Sequence, residues 1–143
     1  MKLVVQRVTQ AQVKVKKKVV GKINLGLFVL VGVGKEDSEE DARVFAEKLA
    51  KMRIMADENG KMNLSVDEVK GKVLAVSQFT LYADTSGGNR PSFIKAAEPR
   101  YAEKIYDYFV ERLKALGVKV ETGKFGEYME IEAKLDGPVT III

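Results

Sequence analysis

The sequence predicts a single α+β domain, residues 1–143, with a largely antiparallel or mixed β-sheet and two main helices. Seven or eight segments are patterned as strands, and most are joined by short turns rather than by helices. Only two stretches repeat apolar residues at helical spacing. No repeat, low-complexity segment or linker divides the 143 residues, a length that suits one domain.

Lys2 to Val8 reads as the first strand. Val13 and Val15 then alternate with Lys14 and Lys16 before the chain turns and returns, which is a hairpin pattern. Lys14, Lys16, Lys17, Lys18 and Lys22 concentrate charge on it. Lysines protect strands from edge pairing, and the same charges suit a nucleic acid phosphate backbone. Gly26 to Val33 is apolar on both faces and reads as a buried central strand.

Ser38 with Asp41 three residues on resembles a capping box. Ala42, Phe45, Ala46, Leu49 and Met52 follow at helical spacing. A turn at Asn59-Gly60 precedes a short strand, Met62 to Leu64. Lys72 to Ala83 reads as one more buried strand, and "DTSGGNRPS" after it as a loop.

Pro99 suits the first position of the second helix. That helix is expected to bury Ala102, Ile105, Phe109, Leu113 and Leu116, and to stop at Gly117. "VKVET" and "YMEIEAKL" are strands, the second alternating Met129, Ile131, Ala133 and Leu135 with charged residues. Val139 to Ile143 is the last strand. The Gly137-Pro138 step before it reads by propensity alone as a turn.

Composition narrows the chemistry. The chain has no Cys, which excludes disulfides, thiolate nucleophiles and zinc–sulfur sites. It also has no His, so the usual general base near neutral pH and every His-dependent triad are excluded. Catalysis would fall to carboxylates, hydroxyls, backbone amides, lysine or the substrate itself. No signal peptide or membrane span is apparent, and a soluble cytoplasmic protein is expected. A net charge of +4 permits a polyanionic partner without requiring one.

Three segments are candidates for function. "VSQFTLYAD" turns an apolar strand polar at its end, where Ser77, Gln78 and Thr80 either form a site or satisfy local backbone groups. On a strand, Ser77 and Phe79 would point one way and Gln78 and Thr80 the other. "TSGGNRPSF" allows close backbone approach at Gly87 and Gly88, with Arg90 available for a phosphate. Its spacing fits neither a Walker loop nor a dinucleotide fingerprint, and a surface loop is the alternative. The Gly137-Pro138 step presents backbone with almost no side chain, a surface able to exclude a substituent by sterics.

With "QRVTQAQV", "GKMNLSV", "VSQFTLYAD", "RPSFIKAA", "YDYFVERL" and "DGPVT" in this order, the chain resembles the D-aminoacyl-tRNA deacylases over essentially its whole length. The resemblance implies a barrel-like sheet and a homodimer with active sites at the subunit interface. It implies a D-amino acid, or glycine, esterified to the 3′-terminal adenosine of tRNA as substrate. Ser77, Gln78, Phe79 and Thr80 match the family's SQxT active-site motif. Gly137 and Pro138 match its Gly-cisPro motif, which enters the partner's pocket and rejects L-amino acids. Arg7 matches the arginine that orients that motif. No cofactor or metal is expected.

The residues suit this chemistry. Hydrolysis of an aminoacyl ester needs a water and stabilisation of an oxyanion, for which backbone amides near Gln78 to Thr80 serve. The tRNA 2′-hydroxyl then helps activate the water. Thr80 as covalent nucleophile is the rival, although no His is present to activate it. Chiral rejection across many side chains calls for a rigid backbone wall, since one methylene is worth only about 1–3 kcal/mol. A cis peptide before Pro138 is expected on that ground. An RNA-binding module without catalysis and a small-metabolite hydrolase or structural dimer are the competing readings.

Overall fold

The computed structural model describes residues 1–143. In chain order the strands are β1 (Lys2–Val15), β2 (Lys18–Ile23) and β3 (Gly26–Gly32), then helix α1 (Glu39–Lys51). Next come β4 (Met55–Ala56), β5 (Met62–Leu64) and β6 (Lys72–Ser77), followed by a 3₁₀ turn at Phe79–Tyr82. Helix α2 (Pro99–Ala115), β7 (Lys119–Thr122) and β8 (Glu130–Ile142) complete the chain.

Alternation along the two central strands decides how the layers stack. Leu27, Val29 and Val31 of β3, with Val73 and Ala75 of β6, enter one core that also holds Ala42, Ala46 and Leu49 of α1 and Ile105, Phe109 and Leu113 of α2. Phe28, Leu74 and Val76, from the opposite faces, join Val8, Ala11, Val13 and Ile23 in a second core. Side chains of successive strand residues point to opposite faces. Continuously apolar strands therefore supply both cores. Each fully buried Phe or Leu contributes roughly 1.5–3 kcal/mol.

The sheet is mixed. β1 pairs antiparallel with β3, in register from Lys2↔Gly32 to Val8↔Gly26, and with β2 from Ala11↔Ile23 onward. One register runs through both, so β2 and β3 line the same edge of β1. β3 pairs parallel with β6, and β6 parallel with β7, across the helical crossovers. The sheet curls until β2 meets β7, where a Cβ on Gly21 would lie 2.3 Å from the Thr122 carbonyl oxygen. β4 and β5 form a separate pair. No helix is long and apolar enough to cross a membrane.

The Ser38–Asp41 capping box is present. Ser38 Oγ accepts from the Asp41 N–H at 3.3 Å, and Asp41 Oδ2 accepts from the Ser38 N–H at 2.8 Å. Helix α2 begins at Pro99, and Gly117 follows it at φ +89°. Tyr106 and Val110 are buried on α2, whereas Leu116 is exposed because it sits on the cap, past the last buried turn.

Three strand boundaries differ from expectation. β1 does not stop at Val8 but runs to Val15, since β2 takes over the edge that β3 leaves. β6 stops at Ser77 instead of reaching Ala83. The Gln78 N–H donates to Val31 O at 2.8 Å, but β3 ends at Gly32 and offers no further ladder. Phe79–Tyr82 turns off as a 3₁₀ helix, so the expected alternation of Ser77 to Thr80 on a strand does not hold. β8 runs through Gly137-Pro138, joining the two strands expected on either side of it, because β1 pairs with it on both sides of the step.

Lys16 and Lys17 form the two-residue turn of the β1–β2 hairpin, with φ of 49° and 66°. Two left-handed residues in succession are the pattern of a type I′ turn, where Asn-Gly is favoured. A non-glycine residue there costs roughly 1–2 kcal/mol.

Candidate active site

A cavity of about 570 Å³ opens where β6 ends. Ser77, Gln78 and Phe79 line it beside Val33, Phe93 and Met129. Its lining is mostly apolar and includes Phe125 and Tyr128. Phe79 packs edge-on against Phe93, ring centroids 5.0 Å apart. Tyr128 is 86% exposed.

The 3₁₀ turn is seated on the exit of β3. A Cβ on Gly32 would meet Leu81 at 3.1 Å, and one on Gly34 would meet the Tyr82 ring at 2.7 Å. The lack of side chains at both positions lets the turn lie flat. Tyr82 donates its hydroxyl to Asp37 Oδ2 at 3.0 Å, and the Gly34 N–H donates to the same oxygen at 2.6 Å. The Met1 ammonium pairs with Asp37 Oδ1. Burial, then the Asp37 charge, pushes the Tyr82 phenol well above its ordinary range.

The segment after the turn is tied to the same place. The Ala97 N–H donates to Val33 O at 3.0 Å, and the Lys35 N–H to Lys95 O at 3.2 Å. Asp84 accepts from the Ser86 hydroxyl and amide at 2.7 and 3.1 Å and from Lys95 Nζ at 3.0 Å. Ser86 first, and Lys95 after it, hold the Asp84 carboxyl well below the usual carboxylate range. Arg90, Gly87 and Gly88 lie in the exposed loop between, outside the cavity lining.

The Phe79 and Thr80 N–H groups open the 3₁₀ turn and have no hydrogen-bond acceptor in the protein; the first to find one is Leu81, which donates to Gln78 O at 3.3 Å. Thr80 is exposed and stands outside the lining. Its hydroxyl accepts from Gln78 Nε2, and no acid or base is hydrogen-bonded to it.

Arg7, Gly137 and Pro138 form a second group. Between Gln6↔Thr140 and Val8↔Leu135, Arg7 alone faces Asp136 to Val139, so β8 leaves the ladder there. Arg7 is buried, 8% exposed. Its Nε lies 2.9 Å from Asp136 Oδ2, an ion pair off the line of a hydrogen bond, and Nη1 donates to Ile54 O at 3.1 Å. A Cβ on Gly137 would sit 3.5 Å from Arg7 Nη2. Gly137 has φ +122°, and the Gly137–Pro138 peptide is cis. Both residues are exposed, and neither they nor Arg7 line the cavity of their own chain.

The fold thus gathers Ser77, Gln78 and Phe79, keeps Thr80 beside them, and sets Arg7, Gly137 and Pro138 apart. Sequence reasoning did not assign Phe93, Phe125, Tyr128 or Met129 to the site. A legible signal existed in "KFGEY", where two aromatic residues flank Gly126 in a polar stretch.

Residues 4–143 match the family model described as D-Tyr-tRNA(Tyr) deacylase. The chain is 56% identical, over 99% of its length and 96% of the relative's, to the D-aminoacyl-tRNA deacylase of Bacillus pumilus. Among solved structures, the c-Myc DNA unwinding element binding protein is 38% identical with a TM-score of 0.93, over 100% of this chain and 97% of that one. A probable eukaryotic D-amino acid tRNA deacylase is only 16% identical, but superposes with a TM-score of 0.88 over 99% of this chain and 97% of its own, a likeness of fold. The match over nearly the entire length means that the chain belongs to the D-Tyr-tRNA(Tyr) deacylase family.

Proposed function

We propose that the chain hydrolyses the ester of D-aminoacyl-tRNA, and of glycine mischarged on tRNA, releasing the free amino acid. The observation that carries this reading is the pair of unpartnered amides, Phe79 and Thr80, at the edge of an apolar cavity. Main-chain donors so placed suit the oxyanion of a tetrahedral intermediate, where one donor is worth roughly 2.7–4 kcal/mol. The attacking water is activated with the help of the tRNA 2′-hydroxyl. Thr80 has Gln78 as its side-chain partner and no base, which favours this route over a threonine nucleophile.

Chiral rejection is assigned to the Gly137-Pro138 step of a second subunit. The step is exposed and does not line the cavity of its own chain. The exposed apolar side chains of β8, Ile131, Leu135 and Ile142, offer a surface for that subunit. A wall of backbone at the L position excludes every L side chain while leaving the D side unrestricted. Glycine escapes because it has no side chain to exclude.

Incubation of D-Tyr-tRNA and L-Tyr-tRNA with the protein tests the reading. Selective loss of the D ester is expected. Equal loss of both, or RNA binding with an unchanged ester lifetime, overturns it.

A further inference from the structure

The β1–β2 hairpin holds five of the 24 basic residues and none of the 20 acidic ones between Lys14 and Lys22. The rest of the chain is close to neutral, so the basic surplus is local to this hairpin. Lys14 is neutralised by Glu132, whereas Lys16, Lys17 and Lys18 are exposed and have no carboxylate partner.

Edge protection does not account for the tip. Val15↔Lys18 is the last pair of the ladder, so Lys16 and Lys17 lie beyond any strand edge. Both occupy left-handed backbone, at φ 49° and 66°, where Asn-Gly would sit without strain. Strained positions of this kind mark function when the surrounding structure maintains them. Here the strain places two adjacent ammonium groups in solvent.

The tip stands near the cavity. Val13 pairs with Ile131, which lines the cavity. β1 ends at Val15, two residues and about 7 Å further on at the rise of a strand, and Lys16 follows it in the turn. We propose that Lys16, Lys17 and Lys18 dock the phosphate backbone of the helical arm adjoining the aminoacylated end of tRNA. This rests on the reading of the cavity as the ester site. Phosphate contacts of this sort position the nucleic acid and carry no sequence preference.

The test uses Lys16→Asn/Lys17→Gly, which removes two charges and supplies the residues a type I′ turn favours. Hydrolysis is followed on full-length D-Tyr-tRNA and on D-tyrosyl-adenosine, against salt. For the variant on tRNA, KM is expected to rise roughly tenfold or more near 0.1 M salt. The slope of log(kcat/KM) against log[salt] should shrink by about 1.8, two phosphates at ~0.9 each. Tm is expected to rise, a combination that a purely structural turn does not produce. On D-tyrosyl-adenosine, which lacks the helical arm, wild-type kcat/KM should be nearly independent of salt. If the variant keeps both KM and slope on tRNA, or if KM rises equally on the two substrates, the docking surface is overturned. Failure of the wild type to hydrolyse either D ester would instead overturn the reading of the cavity.

Discussion

Nε of Arg7 lies 2.9 Å from Oδ2 of Asp136, the residue at which β8 leaves its ladder with β1. A buried guanidinium therefore spans the break, with Nη1 held by the carbonyl of Ile54. Replacing Arg7 with Ala leaves that carbonyl unpartnered, and an orphaned buried acceptor costs about 1–3 kcal/mol. Arg7→Ala is expected to lower Tm by several degrees and to admit L-Tyr-tRNA. Thermal unfolding and L-ester hydrolysis measure the two effects; unchanged selectivity would separate Arg7 from the Gly137-Pro138 step.

Thr80 and the substrate's 2′-hydroxyl make opposite predictions. Thr80→Ala should retain activity within about tenfold, because the amides of the turn remain. A tRNA ending in 2′-deoxyadenosine should lose about 100-fold or more in kcat, by the usual worth of a general base. A dead Thr80 variant with a normally hydrolysed deoxy substrate would establish the nucleophile route.

Gly34 is the seat of Tyr82, since an added Cβ would fall 2.7 Å from the ring. Overpacking costs typically 1–3 kcal/mol, and here it pushes on the turn that carries Phe79 and Thr80. Gly34→Ala is expected to reduce kcat by about tenfold or more, since small misplacements of catalytic groups are expensive. Single-turnover kinetics with D-Tyr-tRNA would read this, and an unchanged rate would detach Tyr82 from the site.

Stability should be flat between about pH 5 and 7. With no His, no side chain at its ordinary pKa titrates between about pH 5 and 8. Glu47, held by Arg112 and Arg43, and Asp84, held by Ser86 and Lys95, have lowered values in the fold. Their stabilisation is present above the unfolded carboxylate range, about 4, and lost as pH falls through the folded values. Burial raises Tyr106 and Tyr82, so their contribution is complete below about pH 10 and lost as pH climbs toward the folded values. A Tm profile with a plateau and two flanks is expected; a step between pH 6 and 7 would contradict it.

Local signals were legible where their physics is local. Ser38 and Asp41 marked the start of α1, Pro99 the start of α2, and the apolar runs of β3 and β6 their burial on both faces. The stretch from Phe79 to Tyr82 misled because Phe, Thr and Tyr favour strands. What ended β6 was the end of its partner at Gly32, which propensity does not encode.

The sequence by itself determined a one-domain α+β fold, chemistry without imidazole or thiol, and the motifs Ser77–Thr80 and Gly137-Pro138, because composition, periodicity and short motifs are properties of neighbouring residues. Only the tertiary structure decided that Val33, Phe93, Phe125 and Met129 close one cavity around Ser77, and that Gly137 and Pro138 stay outside it. Those relations depend on which strands pair and where a ladder breaks. Such contacts join residues far apart in the chain, and their geometry exists only once the sheet has curled.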